Sequence, residues 1–218
     1  MKRKLNILCV IVMLVLSYSV LEGLYYFGIG FKAGVELGTD AEMTLAKKKE
    51  LMNMETIHLL PKNMSGVFFQ DSIFNEKSGK YVPVSYGEMT VSVNSKPSIV
   101  GKVLSLLADI VYLIMVVWAL VIFVLFIVSI NKSDIFNWKN VHRLSRLGVL
   151  LIISFGCSLF KAFLTVYDVE KVFSLTNYSL CLTDMVSTTL LVVGLASLII
   201  AQVFAIGLKM KEEQDLTI

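Results

Sequence analysis

Three ionisable residues, Glu22, Asp109 and Lys161, stand inside long apolar stretches of this 218-residue chain. A charge in such surroundings is costly unless it is paired, so residues of this kind mark either an internal ion pair or a polar path for protons or ions. Their depths follow from the helical rise of about 1.5 Å per residue. Glu22 lies about 17 residues, or about 26 Å, from the cytoplasmic start of its stretch, and Lys161 about 14 residues, or about 21 Å, from that of its own. Asp109 lies about 6 residues, or about 9 Å, from the outer start of its stretch. All three reach the outer third of a bilayer. They can form one intramembrane polar cluster, or each can reach the outer interface separately. Gln202, in the inner part of the last stretch, reads as a hydrogen-bonding contact between helices.

Other chemistry is sparse. There is no G-x-S-x-G, no H-E-x-x-H and no phosphate loop. His58 and His142 are separated by an apolar stretch and fall on opposite sides of it, so they cannot share a metal. Ser, Thr and Cys are present without a partnering base. Cys9 and Cys157 lie inside apolar stretches and Cys181 close to another, which reads as small buried hydrophobes rather than a disulfide framework. The N-x-S triplets at Asn63 and Asn177 are too common by chance to use. The expectation is a protein that is not an enzyme and has no catalytic, cofactor-binding or metal residues.

The elements that must position these residues are four apolar runs, Leu5 to Phe31, Val103 to Ile130, Leu147 to Val166 and Met185 to Leu208. A hydrocarbon core of about 30 Å needs about 20 apolar residues of helix, and each run supplies them. A hydrophobic fraction of 56% leaves little for a large soluble domain, and a net charge of +3, from 20 basic and 17 acidic residues, gives no argument for nucleic acid. The distribution of charge is more useful than its sum. Lys2, Arg3 and Lys4 precede run one, Lys132, Lys139, Arg143 and Arg146 join runs two and three, and Lys209 and Lys211 follow run four. Asp168, Glu170 and Asp184 face a single Lys171 in the other short link. The positive-inside rule then places both termini in the cytoplasm. Run one lacks a small-residue cleavage site and reads as an uncleaved anchor.

The expected organisation is therefore a first transmembrane helix with a basic N-terminus (1–31), an extracytoplasmic insert (32–102), a second helix (103–130), a cytoplasmic link (131–146), a third helix (147–166), an outer loop (167–184), a fourth helix (185–208) and an acidic cytoplasmic tail (209–218). In the insert, Thr39 and Glu42 have capping-box spacing ahead of a helix over Ala41 to Met52. Ile57 to Leu60, Val67 to Phe74, Tyr81 to Tyr86 and Met89 to Val93 read as short strands, with a turn over Asn75 to Gly79 and Pro83 suited to an edge. In the link, Asn137 can cap a helix starting at Trp138 and running into the third span, with Phe136 packing on Val141. His142, Arg143 and Arg146 would then meet lipid phosphate. Ser197, Ala201 and Ala205 form a small-residue packing stripe. Gly30, Gly34 and Gly38 repeat that spacing where a flexible exit from the span is an equal reading.

Two stretches carry a likeness that periodicity could not supply: FNWKNVHRLSRLG, Phe136 to Gly148, and GLKMKEEQDLTI, Gly207 to Ile218. They resemble a bacterial family of integral membrane proteins catalogued as domain of unknown function 2975. The matching residues are Phe136, Asn140, Arg143, Leu144 and Gly148, and then Glu213, Asp215, Leu216, Thr217 and Ile218. The resemblance implies four spans and no known reaction. Its genes often neighbour a small helix-turn-helix regulator, which implies a regulatory partner by association. Both motifs fall on one membrane face with opposite charge, so Arg143 and Arg146 can pair with Glu212, Glu213 or Asp215 and close the tail over the link.

The fold class expected is an all-α membrane protein, four transmembrane helices in a bundle with a small α+β extracytoplasmic insert between helices 1 and 2. The expected location is the bacterial cytoplasmic (inner) membrane. The expected role is that of a non-enzymatic sensory, regulatory or accessory component, acting through membrane lipid, a helix-turn-helix regulator or another membrane protein. Phe136, Asn140, Arg143, Leu144, Arg146, Gly148, Glu213 and Asp215 would form its cytoplasmic contact motif. The rival is a small transporter or channel subunit using Glu22, Asp109 and Lys161.

Overall fold

The computed structural model describes residues 2–40, 43–63, 69, 71–93, 99–132 and 135–215. It is mostly helical, with four long apolar helices and a small sheet region. The long helices are α1 (Lys2–Thr39), α3 (Ile99–Asn131), α4 (Trp138–Glu170) and α5 (Thr189–Asp215), and a short α2 spans Leu45–Met52. Each long helix outruns its apolar core because its polar flanks also favour helix. The acidic tail, with Lys209 to Asp215 free of glycine and proline, extends α5 instead of leaving it. At its other end α5 is shorter than its apolar run, since Thr183–Met185 form a separate 3₁₀ turn. The link helix and the third span are one continuous α4, as the cap at Asn137 predicts.

Chain contacts divide the protein into two units. Unit 1 comprises Met1–Glu42, Ile110–Cys157 and Thr188–Ile218. It contains α1, most of α3, the first part of α4 and α5. Its core is Ala119 and Ile122 of α3, Leu144 and Leu147 of α4 and Ala201 of α5, with Phe123, Phe126, Leu150 and Leu151 packed against them. On α5 the face turned inward carries Gly194, Ser197 and Ala201. Gly148 of α4 meets Gly194 so closely that the two backbones are in contact. Gln202, by contrast, is exposed. Along α1 the side chains are nearly all exposed, and a Cβ added at Gly30, Gly34 or Gly38 would meet nothing. That stripe lies inside a continuous helix and is not a flexible exit, and among the described residues nothing packs on it.

Unit 2 comprises Met43–Asp109 and Ser158–Ser187. Its three-stranded sheet has the order β4-β1-β5, with β1 (Met54–Pro61) central between β4 (Glu88–Ser92) and β5 (Tyr178–Leu180), both antiparallel to it. Residues Ile57 and Leu59 of β1 pack with Val169 of α4 and Tyr178 of β5. A separate hairpin, β2 (Asp71–Asn75) and β3 (Lys80–Val84), turns at Gly79, whose φ of 65° a glycine adopts without strain. Pro83 lies opposite Ser72, on a strand paired along one side only, as its missing N–H requires.

Two expectations for the insert are corrected. Thr39 does not open a helix; it is the last residue of α1 and its hydroxyl donates to the Val35 carbonyl at 2.8 Å. Glu42, the other half of that capping box, lies outside the described residues, as does Val67 of the expected second strand. Helix α2 starts at Leu45, behind Thr44, with no side-chain cap. The sheet region is also not confined to the segment between the first two long helices, because β5 comes from the loop between α4 and α5. A strand of three residues, Tyr178–Leu180, gives no period to read.

The Gly148 contact makes a measurable demand. A Cβ at position 148 would lie 2.7 Å from the Gly194 carbonyl oxygen and 2.7 Å from Leu198 Cγ. Gly148→Ala is expected to destabilise unit 1 by about 1–3 kcal/mol, as overpacking does. The measurement is the thermal unfolding midpoint in detergent, and a midpoint equal to that of the parent would count against the close packing.

Candidate functional site

Unit 2 brings Asp109 of α3 and Lys161 of α4 together, with Lys161 Nζ donating to Asp109 Oδ1 at 2.7 Å. Both side chains are about half exposed, at 48% and 47%. Glu22 is not among the residues of this unit; it is an exposed residue of α1, in unit 1. The described ion pairs give it no partner.

A different glutamate completes the charged group. Glu55, near the start of β1, lines an open cleft of ≈ 320 Å³ together with Asn53, Lys102, Ser105, Asp109 and Asp168. Glu55 and Lys161 also line a second cavity of ≈ 360 Å³, with Thr165 and Met185. Asp168 accepts from Lys171 Nζ at 3.2 Å, and that ammonium stands 3.6 Å over the Tyr167 ring. The Glu55 residue keeps access to solvent, yet the atoms crowding its carboxyl raise its pKa above the usual 4.5. Lys161 opposes that rise and the charge of Asp168 adds to it. Sequence reasoning missed Glu55 because the strand signal began only at Ile57, leaving Glu55 as one more acid in a mixed-charge segment. Asp168 was read only for its effect on loop charge.

The cleft's groups are carboxylates, lysines, hydroxyls and an amide, which can hold and exchange protons and ions. Among the described residues no three His, Cys, Asp or Glu side chains converge closely enough to hold a metal ion.

The link motif of unit 1 has a different character. Asn137 Oδ1 caps α4 by accepting from the Asn140 N–H at 2.7 Å. Asn140 is fully buried, and its amide donates to Ser129 Oγ and to the Ile135 carbonyl, each at 3.0 Å. Its Oδ1 accepts from Arg143 Nη1 at 3.0 Å, while the same nitrogen donates to the Leu125 carbonyl at 3.3 Å. These bonds clasp the end of α3 to the start of α4. Leu144 is buried in the core and Gly148 sits against Gly194. Phe136 packs against Phe204 of α5 with ring centroids 5.4 Å apart and the ring planes tilted by 43°.

The expected closure of the tail by Arg143 or Arg146 is replaced by another contact. Trp138 Nε1 donates to Glu212 Oε1 at 2.7 Å, and the described ion pairs join neither arginine to Glu212 or Asp215. The physical reason is that Arg143 is already committed to two internal acceptors. Arg146, Glu213 and Asp215 are exposed, and Leu216, Thr217 and Ile218 lie outside the described residues. Asn140, Leu144 and Gly148 are thus packing residues and cannot form a surface for a partner.

Two outcomes follow. Asn140→Ala leaves the Arg143 guanidinium and Ser129 without a shared buried partner, and is expected to cost about 1–3 kcal/mol in unfolding free energy measured in detergent. For Glu55 the folded state binds its proton more tightly than the unfolded chain does. Its favourable contribution is therefore complete below pH 4.5 and is lost as pH rises through the higher folded value. The unfolding midpoint of the parent should fall over that range more than that of Glu55→Gln. Identical pH profiles would show that the carboxyl is not held in this environment.

Comparison with known proteins bears on the same residues. No curated protein and no solved structure matches the chain. Residues 66–218, from just before β2 to the C-terminus, match the model of a family described as protein of unknown function (DUF2975). That span holds β2 to β5, α3 to α5, the Asn140 clasp and the Asp109–Lys161 pair, and with well over half of its length matched the chain belongs to the DUF2975 family.

Proposed function

We propose that this is a multi-pass protein of the bacterial cytoplasmic membrane with both termini in the cytoplasm. In this reading it works as a non-enzymatic sensory or regulatory component. The observation that carries the membrane reading is the outward face of unit 1. Val117, Trp118 and Val121 of α3 and Ile199, Val203 and Ile206 of α5 all expose about half or more of their surface. A water-soluble protein cannot leave so much contiguous apolar surface uncovered. Residues 110–131 of α3 and 189–208 of α5 hold no charged side chain, and both stretches belong to unit 1. Their lengths suit a hydrocarbon core of about 30 Å.

The sensory role is supported by the contrast between the units. Unit 2 gathers the polar cleft, the small sheet and the exposed β2–β3 hairpin, which would face the outside. α3 and α4 each supply residues to both units, so a change at Asp109 or Lys161 acts on the helices that also carry the Asn140 clasp. The cleft carries no activated nucleophile, which favours a role through contacts over a role in catalysis. A helix-turn-helix regulator or another membrane protein is the partner this reading expects on the cytoplasmic face.

Topology is tested by single cysteines in a background lacking Cys9, Cys157 and Cys181. Lys80→Cys in the hairpin should react with an impermeant maleimide in intact cells, and Lys132→Cys only after lysis; the reverse pattern would invert the orientation. Capture through a C-terminal tag from native membranes should retain a specific protein partner. If instead the purified chain carries ions across liposomes and Asp109→Asn stops the flux, a transport function replaces the sensory one.

A further inference from the structure

The four basic residues at the start of α4 divide into two groups. Lys139, His142 and Arg146 are all exposed, and at about 100° per residue they share an arc of about 60°. Arg143 lies outside that arc and spends its guanidinium on Asn140 Oδ1 and the Leu125 carbonyl. His142 Nδ1 stands 2.6 Å from the Trp138 carbonyl oxygen. A carbonyl can only accept, so Nδ1 carries the proton, and Nε2 can donate to an anionic ligand when the ring carries a second proton. No described anion pairs with Lys139 or Arg146. Trp138, at the head of the same helix, is tied to Glu212, which brings the end of α5 with exposed Lys209 and Lys211 beside the start of α4.

We propose that Lys139, His142 and Arg146 bind the phosphate of an anionic phospholipid headgroup. The proposal rests on the membrane reading above and gives it a specific ligand. Two features favour a lipid over a soluble anion. The arc ends at Arg146, immediately before buried Leu147 opens the 14-residue charge-free stretch 147–160 of α4, so the cations stand where the apolar part of the helix begins. Trp138, next to Lys139, puts an indole at the polar end of the arc, as indoles stand at membrane interfaces. Lys139 and Arg146 reach from long flexible stems on either side of a short ring held by its own backbone bond, and the ring joins them as a donor when Nε2 also carries a proton.

The test uses the full chain, purified and reconstituted into nanodiscs containing equal amounts of phosphatidylglycerol and phosphatidylcholine. Native mass spectrometry after release reads the lipids retained. The parent should retain phosphatidylglycerol in clear preference, and Lys139→Gln with Arg146→Gln should lower that preference about tenfold while leaving the unfolding midpoint unchanged. Arg143→Gln should behave oppositely, with a lower midpoint and an intact preference. Equal retention of both lipids by the parent, or an unchanged preference in the double variant, would overturn the proposal. So would loss of preference in a folded Arg143→Gln protein. Failure of the membrane reading itself is distinguishable, because the parent would then not float with vesicles of either composition.

Discussion

A buried side-chain amide must satisfy both donors and its acceptor within the protein, and Asn140 does so by drawing on three separate pieces of chain. Ser129 comes from the last turn of α3, Ile135 from the link, and Arg143 from one turn further along α4. Arg143 in turn reaches back to Leu125 on α3. Each bond is modest in net terms, about 0.5–1.5 kcal/mol, but leaving a buried donor unmade costs more than making it returns. The four bonds therefore stand or fall together, and with them the register between α3 and α4 on which Leu144, Leu147 and Gly148 depend for their neighbours. Gly148 then allows α5 to approach to backbone contact.

The same helix pair carries a second polar tie, in unit 2, of an opposite kind. Asp109 and Lys161 are half exposed, and in water such a pair contributes about 0–1 kcal/mol. Its value to the fold is small, and its capacity to change is correspondingly large. Lys161, paired with Asp109, also opposes the rise that burial imposes on the Glu55 carboxyl, so one ammonium acts on both acids. The contrast is physical: a fully desolvated network resists rearrangement, while a solvated pair of charges opens at little cost.

How much of this was legible in the sequence differs by element. The four long helices were, because runs such as residues 110–131 leave no other period to fit, and so was the cap at Asn137, whose oxygen receives the Asn140 N–H. The strands were located through Pro83, Gly79 and their alternation. Asp109 and Lys161 were placed together by counting residues along helices, which works because the rise is constant. The same count put Glu22 at their depth, but a depth carries no information about the direction a helix faces or which helix lies beside it. Glu55 and β5 were not legible: β5 owes its position to pairing across more than a hundred residues, as in Leu59 opposite Leu180, and Glu55, which pairs with Val91 of β4, shares its cleft with Asp109 and Asp168, a grouping that no local period marks. Arg143 was misjudged for a related reason: charge suggested a partner of opposite sign, and its real partners are a carbonyl and an amide.

The same distinction between inward and outward residues runs through the whole of the link motif. The residues of the first motif are Phe136, Asn140, Arg143, Leu144 and Gly148, and their contacts are Phe204, Ser129, Leu125, the core of unit 1 and Gly194. Every one of them is spent on joining α4 to α3 or to α5. Lys139, His142 and Arg146, interleaved with them, point away from all of these contacts and make no part of the pattern. On a helix a rotation of about 100° per residue separates the two sets completely, although in sequence they alternate. A shared pattern made of inward residues can hold a hairpin constant while the outward arc between them is free to suit a particular membrane face or partner. Membership of the family over 66–218 assigns no activity, which has to be argued from this chain's own sites, and the inward residues of the motif are spent on its scaffold.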